Sequence, residues 1–221
     1  MNCTIRPILK LKRKLMKKID NIDRLLIFAL VLFTLMFTTT IFAQVKTIET
    51  DIYKVVYSED YEQPLQVSYT VLCPDGEASR QGLDFRKYDG VHTSDNEDYS
   101  NNPYDKGHIA PAASFNCTRE MVRETFSYLN CALQHEGLNR GPWKELERFE
   151  RDLAKMWENI NVVVTIHFDA TEQLYTKGGA SIPSGFTKRI EIKGIETWEF
   201  YFPNEDVAGR DWGDFRIPLT R

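Results

Sequence analysis

Tyr104-Asp105-Lys106-Gly107-His108-Ile109-Ala110-Pro111 and Leu138-Asn139-Arg140-Gly141-Pro142-Trp143-Lys144-Glu145-Leu146-Glu147-Arg148-Phe149-Glu150-Arg151 bound the stretch on which the reading of this sequence turns. The first segment reads as a short strand through Gly107, His108 and Ile109. It stops at Pro111, which lacks the amide hydrogen that a ladder needs. The second opens an amphipathic helix, because Leu146, Phe149, Leu153, Met156 and Trp157 recur at three- and four-residue intervals to about residue 159. Pro142 suits the first turn of that helix, where no intrahelical donor is lost.

Outward from this stretch the chain is mostly strand. Residues 52–57 and 65–72 alternate apolar with polar side chains, the period of a half-buried strand, and the turn at 59–64 predicts an antiparallel pair. Residues 44–51 read as an exposed lead-in. Residues 73–103 are polar and rich in turn formers, a loop that carries Arg80, Arg86 and His92. His92 has no supporting neighbour in sequence and reads as a surface residue. Thr118 is placed to cap a helix over 118–124, residues 126–130 look extended, and 134–137 read as loop. Further runs at 161–168, 187–193 and 197–202 are β-rich. Together these predict an α+β fold, a mainly antiparallel sheet flanked by helices, with residues 44–221 as one domain.

Residues 1–43 differ in kind. Eight Lys and Arg against Asp20 and Asp23 precede an uncharged run from Leu25 to Ala43, the pattern of a signal peptide cleaved after Ala43 or of an uncleaved N-terminal membrane anchor. Either places residues 44–221 outside the cytoplasm, periplasmic or secreted if cleaved and membrane-attached if not. Without those 43 residues, 20 basic and 30 acidic side chains remain, a formal charge of −10. That balance excludes passive coating of nucleic acid through a broad basic surface, so any phosphate contact must be local. Cys73, Cys117 and Cys131 lie in the same part, and three cannot all pair. One bridge and one buried thiol are expected, with the pairing open and no metal-binding cysteine spacing.

The candidate chemistry begins at His108. A neutral imidazole accepts a proton near neutral pH, and Gly107 beside it would leave room for a substrate backbone. On a regular helix of about 100° per residue, Glu147 lies about 80° and Arg151 about 120° around from Asn139, so the three share one arc. An Asn oxygen binds a hard cation, Glu holds or polarises its waters, and Arg reaches a phosphate. Each half alone has a plainer explanation: a core histidine, and a solvated helix face with a weak Glu–Arg pair.

The two motifs in this order resemble the DNA/RNA non-specific endonucleases, the ββα-metal or His-Me finger nucleases. Asp105-Lys106-Gly107-His108 corresponds to a motif in which His is the general base. Leu138 to Arg151 corresponds to a segment that supplies an Asn metal ligand, then Glu and Arg. The resemblance spans roughly residues 80–202. It implies His108 as base, Asn139 as the direct ligand of one Mg²⁺-type ion (Mn²⁺ as a substitute), Glu147 as support for metal-bound water, and Arg151 on phosphate. Arg80, or Arg86 in its place, Lys106 and Asp105 become substrate-binding candidates, and Asn130 a supporting group behind them. It also implies hydrolysis of DNA and RNA to 5′-phosphate ends, and homodimers occur among such proteins. Lys106 stands where Arg is usual, keeping the charge without the bidentate fork. The alternative is a noncatalytic exported nucleic-acid-binding or envelope protein that retains the scaffold.

Overall fold

The computed structural model describes residues 44–219, and the expected signal or anchor in residues 1–43 lies outside them. From the N-terminal side, β1 (Val45–Glu49), β2 (Tyr53–Ser58) and β3 (Gln63–Thr70) form an antiparallel meander. The expected lead-in is therefore partly a strand. Val45, Thr47 and Glu49 face solvent, Lys46 turns to Glu59 and only Ile48 packs on the core, so pairing with β2 rather than any apolar period defines β1.

β4 (Tyr104–His108) follows the long loop, then α1 (Arg119–Thr125), β5 (Cys131–His135) and α2 (Lys144–Met156). Thr118 caps α1 as expected, accepting a hydrogen bond from the Met121 amide. The 126–130 segment is not extended but closes a 3₁₀ turn at Tyr128–Asn130. Asn130 explains the turn: its amide donates to the Ala110 and Thr125 carbonyls and accepts from the Ala110 amide. β5 then runs through His135 and a helical turn takes up Glu136–Leu138, so the segment 134–137 is strand and helix rather than the expected loop.

β6 (Ile160–His167), the short pair β7 (Leu174–Tyr175) and β8 (Ser181–Ile182), β9 (Gly185–Ile192), β10 (Glu196–Pro203) and β11 (Arg216–Ile217) complete the domain. The main sheet is seven-stranded and antiparallel, in the order β1-β2-β3-β6-β9-β10-β11. β6 buries Ile160, Val162, Val164 and Ile166, and β9 buries Phe186, Lys188, Ile190 and Ile192, each at every second position. Each fully buried aliphatic or aromatic side chain stabilises the fold by about 1.5–3 kcal/mol. α2 turns Leu146, Glu150 and Leu153 inward, and Leu146 and Leu153 join the same core.

Outside that sheet, β4 and β5 pair with each other, and with α2 they make a ββα unit. A Cβ on Gly107 would lie 2.6 Å from Gln134 Oε1. The glycine therefore admits the Gln134 side chain from the partner strand, not a substrate. Cys73 and Cys117 form a disulfide with Cα atoms 5.5 Å apart, and Cys131 is a buried free thiol. Among the described residues no helix is long and apolar enough to cross a membrane.

Candidate active site

The end of β4 and one face of α2 meet across a cleft of about 650 Å³ whose walls include Arg80, Lys106, His108, Asn139, Arg140, Lys144, Glu147 and Arg151. Along an extended strand alternate side chains share a face, which places Lys106 and His108 together in the cleft and Asp105 on the other side. The imidazole of His108 is held between the rings of Phe85 and Phe126, with centroids 4.6 Å away on each side. Its Nε2 is buried without a hydrogen-bond partner among the described residues. Burial, reinforced by the Arg80 charge, pushes its pKa down to about 3, so the ring is neutral at physiological pH.

Asn139 stands on the turn between β5 and α2, not on α2 itself. Gly141 leaves helical dihedrals (φ −101°, ψ −120°), and the regular helix begins only at Lys144. The shared arc expected for Asn139, Glu147 and Arg151 therefore does not exist as regular helix. The kink, not a helical period, brings Asn139 to the cleft. Asp105 fixes its orientation by accepting from Asn139 Nδ2 at 2.8 Å. The same carboxylate takes a bidentate pair from Arg140, at 2.8 and 2.6 Å. Partial burial pushes the Asp105 pKa up, but these donors outweigh it and hold it below the ordinary carboxylate range. Asp105 is thus engaged in holding Asn139 and Arg140 and lies outside the cleft walls.

On α2, Lys144, Glu147 and Arg151 follow at i, i+3 and i+7 and share the face toward the cleft. Behind them, Glu150 accepts from Tyr69 Oη at 2.7 Å and from Lys188 Nζ at 2.7 Å, with both charged side chains fully buried. Lys188 Nζ also lies 4.0 Å from the Trp143 ring centroid. Burial pushes the pKa of Glu147 up to about 7; Lys188 and Arg151 pull it down while Glu150 pushes it further up. One Arg151 nitrogen, Nη1, is buried without a hydrogen-bond partner among the described residues.

Arg80 is exposed and lines the cleft, whereas Arg86 does not. The backbone of Arg86 bridges to Phe126 and Tyr128 while its neighbour Phe85 turns to His108, so Arg86 is an exposed loop residue outside the cleft walls. Lys106 lines the cleft but is held by Asp84 at 3.1 Å and by the Asn96 side chain. His92 is a surface side chain 3.0 Å from Glu62. Asn130 sits behind the strand end, where it fixes the backbone just past His108. Arg140, Lys144 and the Glu150–Lys188 pair are absent from the sequence-derived site. For Glu150 and Lys188 the available signal was a charge at an apolar periodic position.

No cluster of three His, Cys, Asp or Glu that could hold a metal occurs among the described residues. The donor set here is different. Asn139 spends its nitrogen on Asp105, which leaves a neutral amide oxygen as the ligand-capable atom. That fits a hard ion that keeps most of its waters and does not fit a thiophilic one.

Residues 23–221 match the family described as DNA/RNA non-specific endonuclease. Among individual proteins, the chain is similar to human mitochondrial endonuclease G, 29% identical over 163 residues that cover 66% of this chain and 53% of that protein. It is also similar to the mitochondrial nuclease of Saccharomyces cerevisiae, 34% identical over 145 residues, 55% of this chain and 44% of that one. The chain thus spans about half the length of the curated relatives it matches. A solved structure of an EndoG/EndoGI complex shares the fold with a TM-score of 0.68 at 23% identity, over 78% of this chain and 80% of that chain.

Proposed function

The chain belongs to the DNA/RNA non-specific endonuclease family, and on that premise we propose that it hydrolyses phosphodiester bonds of DNA and RNA, leaving 5′-phosphate and 3′-hydroxyl ends. The observation that carries this reading is the meeting of neutral His108, Asn139, Glu147 and Arg151 in one cation-rich cleft on an otherwise acidic chain.

In this reading Arg80 and Arg151 hold phosphate oxygens and orient phosphorus toward His108, while Lys106, paired with Asp84, adds positive charge to the cleft. The imidazole accepts the proton of a water as that water's oxygen bonds to phosphorus and the bond to the 3′ oxygen breaks, the departing oxygen taking a proton from a second water to become the 3′-hydroxyl. A ring with a pKa of about 3 is a weak base. Burial is the larger cause of that depression, and the negative phosphate arriving beside Arg80 offsets only the smaller part due to the Arg80 charge. Glu147 accepts hydrogen bonds from waters within the cleft. A hard divalent ion, Mg²⁺ or Mn²⁺, would be held by the Asn139 oxygen and would supply positive charge to the phosphate and the departing oxygen. Contacts confined to phosphates read no sequence, which suits both nucleic acids.

The test is digestion of plasmid DNA and of RNA by the purified chain, with and without a chelator and beside His108→Ala. Cleavage that needs a divalent ion and disappears in the variant supports the proposal. Intact substrate under every condition favours the noncatalytic binder. The Cys73–Cys117 bridge supports export through residues 1–43, since disulfides persist in oxidising compartments. Cell fractionation that recovers the chain in the cytoplasm would reject that part.

A further inference from the structure

Five cations line the cleft, and they are not equally available. Lys106 is paired with Asp84, and Arg140 with Asp105 and Glu136. Lys144 is exposed at the first turn of α2, opens into the cleft, and has no carboxylate partner among the described residues. It shares its helix face with Arg151, because seven residues come to about 700°, within about 20° of two full turns. Along the axis the two are about 10 Å apart at 1.5 Å per residue, further than the width of one phosphate group. Glu147 lies between them.

We propose that Lys144 forms a second phosphate subsite, which engages a backbone phosphate flanking the one held at His108 and Arg151. It gives the site a preference for polynucleotides over small diesters. The inference rests on the nuclease reading for the identity of its ligand. Arg140 stands on the same rim but is held by its two carboxylates, so it contributes field rather than direct contact. An isolated Lys on a helix face is ordinarily solvated and does little. Here an acidic chain directs an unpartnered cation into a cleft whose deepest arginine also has an unsatisfied nitrogen, Arg151 Nη1. A polyanion satisfies both.

Binding separates this inference from the nuclease reading, because it can be measured without turnover. A fluorescent 20-base-pair DNA duplex is titrated with the full chain in chelator at several salt concentrations. Each phosphate neutralised contributes about −0.9 to the slope of log affinity against log salt. Lys144→Gln should therefore flatten the slope by about one and weaken binding roughly two- to fivefold at low salt, and Lys144→Arg should restore both. Lys193→Gln, which removes the same charge from an exposed turn outside the cleft, should leave the slope unchanged. In turnover assays Lys144→Gln should raise KM on the duplex by a larger factor than it raises KM on bis(p-nitrophenyl) phosphate. An unchanged slope in Lys144→Gln, or an equal loss in Lys193→Gln, overturns the subsite. A parent chain that binds duplex through Lys144 but cleaves nothing would reject the nuclease reading alone.

Discussion

At the residue scale two groups of the cleft, His108 and Glu147, are held out of their ordinary ionisation. His108→Ala removes the only imidazole among the cleft walls, and cleavage should fall by roughly 10²- to 10⁴-fold while the thermal midpoint holds. Near-parent rates in that variant would reassign the base. Glu147 titrates at about 7, above the ordinary carboxylate value, so the folded state holds its proton more tightly than the unfolded chain does. The resulting stability is present at acid pH and is lost as pH rises through about 7. Thermal melts should then show Glu147→Gln gaining on the parent between pH 5 and 8; a constant difference would mean that the carboxyl titrates normally. His108 has the opposite sign: its contribution is present above the ordinary imidazole range and is lost as pH falls toward 3. Asp105 acts through Asn139. Asp105→Ala should raise the Mg²⁺ concentration for half-maximal cleavage by about 10- to 100-fold, the usual cost of losing a partner behind a metal ligand, and a superimposable titration would detach the two. The order of His108, Asn139, Glu147 and Arg151 was legible in the sequence because each carries its chemistry in its identity. The sides taken by Asp105 and Arg86 were not, since a single residue's step along extended chain reverses a side chain's direction.

At the element scale, α2 and the sheet were legible where a period ran uninterrupted, as in Leu146 to Leu153 or Ile160 to Ile166. β1 escaped because an edge strand needs only one partner and Ile48 alone meets the core. The Gly141 kink escaped because an apolar stripe is silent about the turn that precedes it. The Glu150–Lys188 pair escaped because two charges at inward positions contradict the pattern until they are seen together. That pair joins α2 to β9, and breaking it strands a charge in the core. Lys188→Ala should cost about 3–5 kcal/mol, whereas replacing both partners by apolar residues of similar volume should be near neutral. Chemical denaturation of the single and double variants decides this, and equal losses in both would show that the pair itself stabilises the fold.

At the scale of the whole molecule, the disulfide ties Cys73 to Cys117 across a sequence separation of 44, and the loop so closed holds Arg80, Lys106 and His108. Loop-closure entropy assigns such a bridge about 4 kcal/mol. Reduction should lower the thermal midpoint by roughly 8–16 °C for a domain of this size, and an unmoved midpoint would mean that the loop is held by packing alone. The topology has a different consequence. β3 and β6 are neighbours in the sheet, and Thr70 bonds Asn161 across a sequence separation of 91. Every cleft residue from Arg80 to Arg151 falls within that interval. The cleft is therefore a cassette spliced between two adjacent strands, and doubling the length of a flexible loop costs only about 0.6 kcal/mol in closure entropy. The sheet can thus hold its register while the cassette lengthens or shortens at its polar 73–103 segment, which makes that segment the natural place to graft a new specificity.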